Sequence, residues 1–153
     1  NGYMSWEQIK ALGEAGMEIG SHSLSHPYMT TLSTEQLLIE LKDSKAQIEQ
    51  HTGKEIVSFA YPFGDCFART HKVAKEVGYK NICTSKPGLC KSKMNNLNRN
   101  SVHSNINSDQ LDQLLNPSTR TIFKKQTAYS IRYGLKRVLG VNNYIKLRNS
   151  IYS

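Results

Sequence analysis

Ile56-Val57-Ser58-Phe59-Ala60-Tyr61-Pro62-Phe63-Gly64 is the stretch on which the fold turns. Its first five residues carry no charge and are rich in β-branched and aromatic side chains, so 56–60 reads as a buried strand. Tyr61-Pro62-Phe63-Gly64 then stops it, because Pro withdraws a ladder donor and Gly admits a tight turn. Working outward, Thr70 opens a helix over 70–77 that ends at Gly78, and 79–84 reads as the next strand. On the other side, Ser33 with Gln36 three residues later makes a capping box. Behind it Leu37, Leu38, Leu41 and Ile48 form an apolar stripe among charged residues, a helix ending near Gly53. Before that, Ser5 caps a short helix with Trp6, Ile9, Leu12 and Ala15 on one face, Gly16 ends it, and 17–21 reads as the first strand. Strands separated by helices predict an α/β fold with a parallel sheet. Beyond Lys86 the pattern weakens: 97–102 reads as one more strand and Ser108 caps a short helix through Leu115. Asn116-Pro117-Ser118 marks a boundary, followed by an amphipathic basic helix carrying Ile122, Tyr129, Tyr133 and Leu139, and a last helical stretch over 142–151.

At 153 residues the chain suffices for one domain, and a chain of this size buries roughly 68–70% of the surface it exposes unfolded. Ten Gly, four Pro and three Cys exclude collagen-like, low-complexity and disulfide-scaffold classes. Cys66, Cys83 and Cys90 contain no CxxC pair and read as buried free thiols. No apolar run approaches the roughly 20 residues that span a bilayer. The net charge of +8 is uneven, since residues 1–112 hold 12 Lys/Arg against 12 Asp/Glu while 113–153 hold eight basic residues and no acidic one. That basic tail has two readings. Its cations, interleaved with Phe123, Tyr129, Tyr133 and Tyr144, suit an anionic membrane surface. Alternatively its helices pack back on the domain with their basic faces solvated. No nucleic-acid partner is expected, because no recognised binding motif accompanies the charge. Asn1 is not an initiator Met, so the lack of a leader says nothing about compartment.

Gly20-Ser21-His22-Ser23-Leu24-Ser25-His26-Pro27 carries the chemistry. His22 and His26, with three residues between them just past a strand, converge on one metal ion if the chain turns there. A zincin has this His spacing on a helix but needs Glu directly after the first His, where Ser23 stands, and Pro27 opposes helix at His26. The turn at 61–64 also follows a strand, so both loops are expected on one rim, where α/β sheets gather their sites. There the Phe63 backbone N–H is a candidate oxyanion donor, and Tyr61, Pro62 and Gly64 are candidate substrate contacts.

The His-Ser-x-x-His element, the Ser-Phe-Ala-Tyr-Pro-Phe-Gly run and their spacing resemble polysaccharide deacetylases of the NodB-homology type, carbohydrate esterase family four. Residues 3–102 carry the resemblance. It implies the C-terminal part of a distorted, incomplete (β/α) barrel over 1–115, with a basic helical appendage over 116–153. The implied reaction is metal-dependent hydrolysis of N-acetyl, or O-acetyl, groups on a polysaccharide or glycan. The implied ligands of the divalent metal, zinc in the first place, are His22 and His26. Ser23 braces their loop and the Phe63 N–H meets the oxyanion. The family's Thr-Phe-Asp-Asp motif, which supplies the general base and third ligand, has no counterpart here, the first Asp being Asp43. The expectation is an N-terminally truncated domain, inactive by itself. Ala60 stands where many members have Arg, which points to the poly-N-acetylglucosamine deacetylase branch. For the family's late acid only His103 is a candidate. Rival readings are a carbohydrate-binding pseudoenzyme and a membrane-associated adaptor. His51 and His71 are given no role, and Asp65 reads as an exposed loop residue.

Overall fold

The computed structural model describes residues 2–90 and 96–152. Its elements are, in chain order, α1 (Trp6–Glu14), α2 (Thr34–Thr52), β1 (Ser58–Ala60), α3 (Ala68–Glu76), β2 (Asn81–Cys83), β3 (Asn96–Leu97), α4 (Ser108–Leu115), α5 (Thr119–Leu139) and α6 (Val141–Tyr152). The strands form one parallel sheet in the order β1-β2-β3, with Phe59 opposite Ile82 and Cys83 opposite Leu97. The expected α/β fold with parallel pairing is therefore present.

Capping chemistry sets where the helices begin. Ser5 with Gln8 and Ser33 with Gln36 each exchange side-chain and backbone hydrogen bonds, satisfying two orphan donors apiece at α1 and α2. Gly53 closes α2 at φ +70°, a conformation that favours glycine. α3 starts two residues earlier than expected, because Thr70 accepts from the Phe67 N–H and so lies inside the helix. Asn107, not Ser108, caps α4, accepting from the Gln110 N–H at 2.8 Å.

Two strand expectations shrink. Residues 17–21 form no strand: Met17 is 61% exposed and only Ser21 reaches the sheet, in one parallel bridge to Phe59. Gly20 permits that approach, since a Cβ there would meet the Ser58 carbonyl at 3.1 Å. The strand expected over 97–102 ends at Leu97.

The chain packs as two compact units. The first runs through Thr84 and takes in Asn96–Leu97; the second begins at Ser85 and takes in the chain from Asn98 onward. In the first, Phe59 and Ile82 from the sheet, Leu37 and Leu41 from α2, and Val73 from α3 form the core. Leu38, placed in the apolar stripe by periodicity, is 38% exposed. The second unit holds α4, α5 and α6, with α5 and α6 meeting at Gly140. All three cysteines are free; Cys66 and Cys83 are half-buried and Cys90 is exposed, against the expectation of burial. Among the described residues no helix is long and apolar enough to cross a membrane.

Phe59 is 1% exposed and packs its ring against Tyr61 and Tyr79 at 5.0 and 5.1 Å. Phe59→Ala should lower the unfolding free energy by about 3–5 kcal/mol in a urea titration. A change below about 1 kcal/mol would place Phe59 outside the core.

Candidate active site

Two loops meet where the Ser21 bridge joins β1. The Ser21 N–H donates to the Ser58 carbonyl and the Ala60 N–H to the Ser21 carbonyl, both at 2.9 Å. The residues that follow each partner, His22 and the 61–64 turn, are thereby delivered to the same end of the sheet. The His22 and His26 rings lie 4.9 Å apart, and the His26 ring lies 4.6 Å from the Phe63 ring. Tyr28 stacks on Phe63 at 4.2 Å.

His22 Nδ1 is 2.7 Å from the Ala60 carbonyl oxygen. A carbonyl oxygen can only accept, so Nδ1 carries the proton and Nε2 is left with its lone pair for a metal or another donor. This is the arrangement by which a second contact fixes the tautomer of a ligating imidazole. The pair could supply two imidazole nitrogens to a metal ion. Among the described residues no group of three His, Cys, Asp or Glu could hold a metal, so the remaining positions are not supplied by them.

Among the described residues three non-glycine residues have positive φ, and all lie here: Ser23 at 74°, His26 at 60° and Phe63 at 56°. Each such backbone costs of order 1–3 kcal/mol and persists only where the surroundings over-determine it. The surroundings do so. Ser23 Oγ accepts from the His26 N–H at 3.0 Å. Glu40, on α2, accepts from the Leu24 and Ser25 N–H groups, both at 2.9 Å, and from the Ser25 hydroxyl. Asp65 Oδ2 accepts from the Thr30 N–H at 2.9 Å and its hydroxyl at 2.6 Å, while Arg69 donates to the Leu32 carbonyl at 2.6 Å. Asp65 is 1% exposed, which corrects its reading as an exposed loop residue, and its Oδ1 is buried without a partner among the described residues.

The 61–64 turn divides into a buried and an exposed half. Tyr61 is 0% exposed and Pro62 is buried, so they are core, and the expectation that they contact substrate is corrected. Phe63 is 51% exposed and Gly64 half-buried. The Gly64 and Asp65 N–H groups close the turn on the Tyr61 and Pro62 carbonyls, whereas the Phe63 N–H has no acceptor among the described residues. His103 belongs to the second unit, where it lines a cavity of about 370 Å³ with Ser101, Gln110 and Lys125. His51 stacks on Trp6 at 4.1 Å, and His71 Nδ1 lies 3.4 Å from the Tyr61 hydroxyl.

Sequence reasoning missed Glu40, Tyr28 and Arg69. The signal for Glu40 was its place three residues after Leu37 and four before Ser44, on the flank of the buried face of α2. Partial burial pushes its carboxyl up, but hydrogen bonds from the Ser25 side chain, the Ser25 and Leu24 backbone and the Ser23 side chain outweigh this and hold it below its ordinary value. A depressed folded pKa adds stability that is present above the unfolded pKa and lost as pH falls through the folded one. The Leu24 and Ser25 amide proton shifts should therefore titrate with a midpoint below the ordinary glutamate value of about 4.3. Glu40→Gln should remove the transition; a midpoint at or above that value would contradict the clamp.

The family model described as polysaccharide deacetylase matches residues 1–82. The peptidoglycan-N-acetylglucosamine deacetylase of Bacillus cereus is 34% identical over 77 residues, covering 50% of this chain and 36% of that protein. The solved structure of the Streptococcus pyogenes deacetylase PplD in complex with acetate superposes with a TM-score of 0.67 at 26% identity, over 74% of this chain and 51% of that one. A polysaccharide deacetylase from Bacillus cereus gives 0.66 at 25% identity, over 75% of this chain and 37% of that one. The fold agrees with the expected partial barrel. The chain spans about a third of the first curated relatives it matches.

Proposed function

The chain belongs to the polysaccharide deacetylase family, and from that premise we propose that its site hydrolyses N-acetyl groups on a polysaccharide, releasing acetate. The observation that carries this reading is that the His26 ring lies close to both the His22 ring, at 4.9 Å, and the Phe63 ring, at 4.6 Å. N-acetylglucosamine polymers are the proposed substrate class, in line with the name of the Bacillus cereus relative. Ala60 followed by Tyr61-Pro62-Phe63-Gly64 supports placing the chain in the poly-N-acetylglucosamine branch.

His22 and His26 are the proposed ligands of a divalent ion, zinc by the chemistry of two neutral imidazoles, which when bound would supply Lewis acidity and activate water. The chain's own residues do the rest. The Ala60 carbonyl holds the His22 ring with Nε2 available. The Phe63 N–H, free of any acceptor among the described residues, donates to the acetyl oxygen as the carbon becomes tetrahedral. Exposed Phe63, stacked on half-buried Tyr28, offers an aromatic wall against which a sugar ring can pack. A carboxylate placed to take the proton from the attacking water is not found beside the imidazoles among the described residues.

Two measurements test this. Calorimetry with zinc should show weak binding, since catalytic sites ordinarily use three protein ligands, and His22→Ala with His26→Ala should remove it. Binding unchanged in the double variant would move the metal elsewhere. In a protein that carries these residues together with a general base, His26→Ala should abolish acetate release from N-acetylglucosamine oligomers. The 153-residue chain alone should release acetate about 10²–10⁴-fold more slowly than a protein that has the general base. Robust release by the chain alone would contradict the missing-base argument. Oligomer binding without acetate release even where the general base is present would instead favour a carbohydrate-binding pseudoenzyme.

A further inference from the structure

The second unit holds twelve Lys and Arg against two Asp, so the whole positive excess of the protein resides in it. Much of that charge lines one feature. A cavity of about 760 Å³ is walled by Arg120, Lys124, Lys125 and Arg132 from α5, with Arg99 and Ser101 opposite. No Asp or Glu lines it. Its size lies within the ~300–1,000 Å³ of ordinary ligand sites.

The arrangement is written into the helix. Arg120, Lys124, Ala128 and Arg132 recur every four residues and so share one face of α5, and Ala128 leaves room between the cations. Like charges at this spacing destabilise a helix, and cations in its first turns oppose its dipole. Neither cost is relieved from within: among the described residues no ion pair involves Arg120, Lys124, Lys125 or Arg132. The opposite wall is fastened in place. Gln126 donates to the Pro87 carbonyl at 3.2 Å, Gly88 and Asn100 exchange hydrogen bonds at 3.2 and 3.4 Å, and the Arg99 N–H donates to the Lys86 carbonyl at 3.1 Å. Gly88 sits at φ +140°, and a Cβ there would meet Gln126 Nε2 at 3.0 Å. The cavity is thus held open between two fixed walls while its cations repel one another.

We infer that this cavity binds a ligand carrying two or more phosphate groups. Five cations around one cavity call for high negative charge density, which phosphates provide, with several acceptor oxygens each for guanidinium forks. A uronic-acid chain brings only one charge per sugar ring. A flat membrane surface does not enter a concave site.

The test is calorimetry of the full chain with tripolyphosphate at about 0.15 M salt, where exposed charges are screened beyond ~8 Å. Saturable binding is expected. Arg120→Gln, Lys124→Gln and Arg132→Gln together should weaken it by about tenfold or more, since charge-assisted bonds are lost. Ala128→Phe, which fills the cavity without changing charge, should weaken it too. Arg137→Gln, Lys146→Gln and Arg148→Gln together remove the same charge outside the cavity and should leave binding within about twofold. Equal loss in the two triple variants would reduce the effect to net charge and overturn the site. So would absence of binding, or tighter binding of a galacturonate oligomer. Vesicles containing cardiolipin, whose headgroup carries two phosphates, set against phosphatidylcholine vesicles, identify the source. Vesicle binding lost in the cavity variants, alongside tripolyphosphate binding, makes the ligand a lipid headgroup, and tripolyphosphate binding without vesicle binding makes it a soluble phosphate. Vesicle binding alone would overturn the cavity in favour of a membrane surface.

Discussion

One parallel bridge, Ser21 against Phe59, determines what the first unit can do. It is too short to count as a strand pair, yet its two hydrogen bonds hold the end of the 17–21 segment against β1. His22, His26 and Phe63 lie within five positions after its two partners. The Ala60 carbonyl fixes the His22 ring, and the turn after Tyr61 brings Phe63 to His26. Without that bridge the imidazoles and the Phe63 amide would belong to separate loops. Gly20 makes the bridge possible by admitting the Ser58 carbonyl where a side chain would stand.

The loops beyond the bridge are held in an unfavourable conformation. Positive φ at Ser23, His26 and Phe63 amounts to several kcal/mol of local strain at ~1–3 each. Hydrogen bonds to charged groups contribute about 1.5–3 kcal/mol each, less where water competes. Glu40 and Asp65 accept three and two such bonds from the 24–30 loop. The balance is therefore close, and it is struck by residues that touch no substrate in the proposed reaction. Asp65 and Arg69 secure the later part of the loop and Glu40 the earlier part, so the His pair is fixed from both sides.

The parts of this arrangement that follow local rules were legible in the sequence. Capping boxes at Ser5 and Ser33 and the uncharged run at 56–60 located α1, α2 and β1, because each depends on neighbours within four residues. His22, His26 and Phe63 stood out because they lie directly after strand signals. What stayed hidden depends on long-range partners. Asp65 follows a turn and looks solvent-bound, but its partner Thr30 is thirty-five residues away. Tyr61 sits in a turn motif yet points its bulk to the core. Residues 17–21 alternate like a strand, but a strand also needs a paired neighbour along its length, and only Ser21 has one. The cationic cavity was visible as a charge excess; its concave form depends on how α5 packs within the second unit.

The proposed metal site depends on His22 being protonated on Nδ1 by its bond to the Ala60 carbonyl and open at Nε2. Long-range ¹⁵N NMR of the imidazoles during a zinc titration tests it most directly. The account predicts that His22 is in the Nδ1–H tautomer before zinc is added, and that its Nε2 and one nitrogen of His26 shift together as zinc binds. A His22 ring in the Nε2–H tautomer, or zinc binding that leaves both rings unshifted, would contradict it.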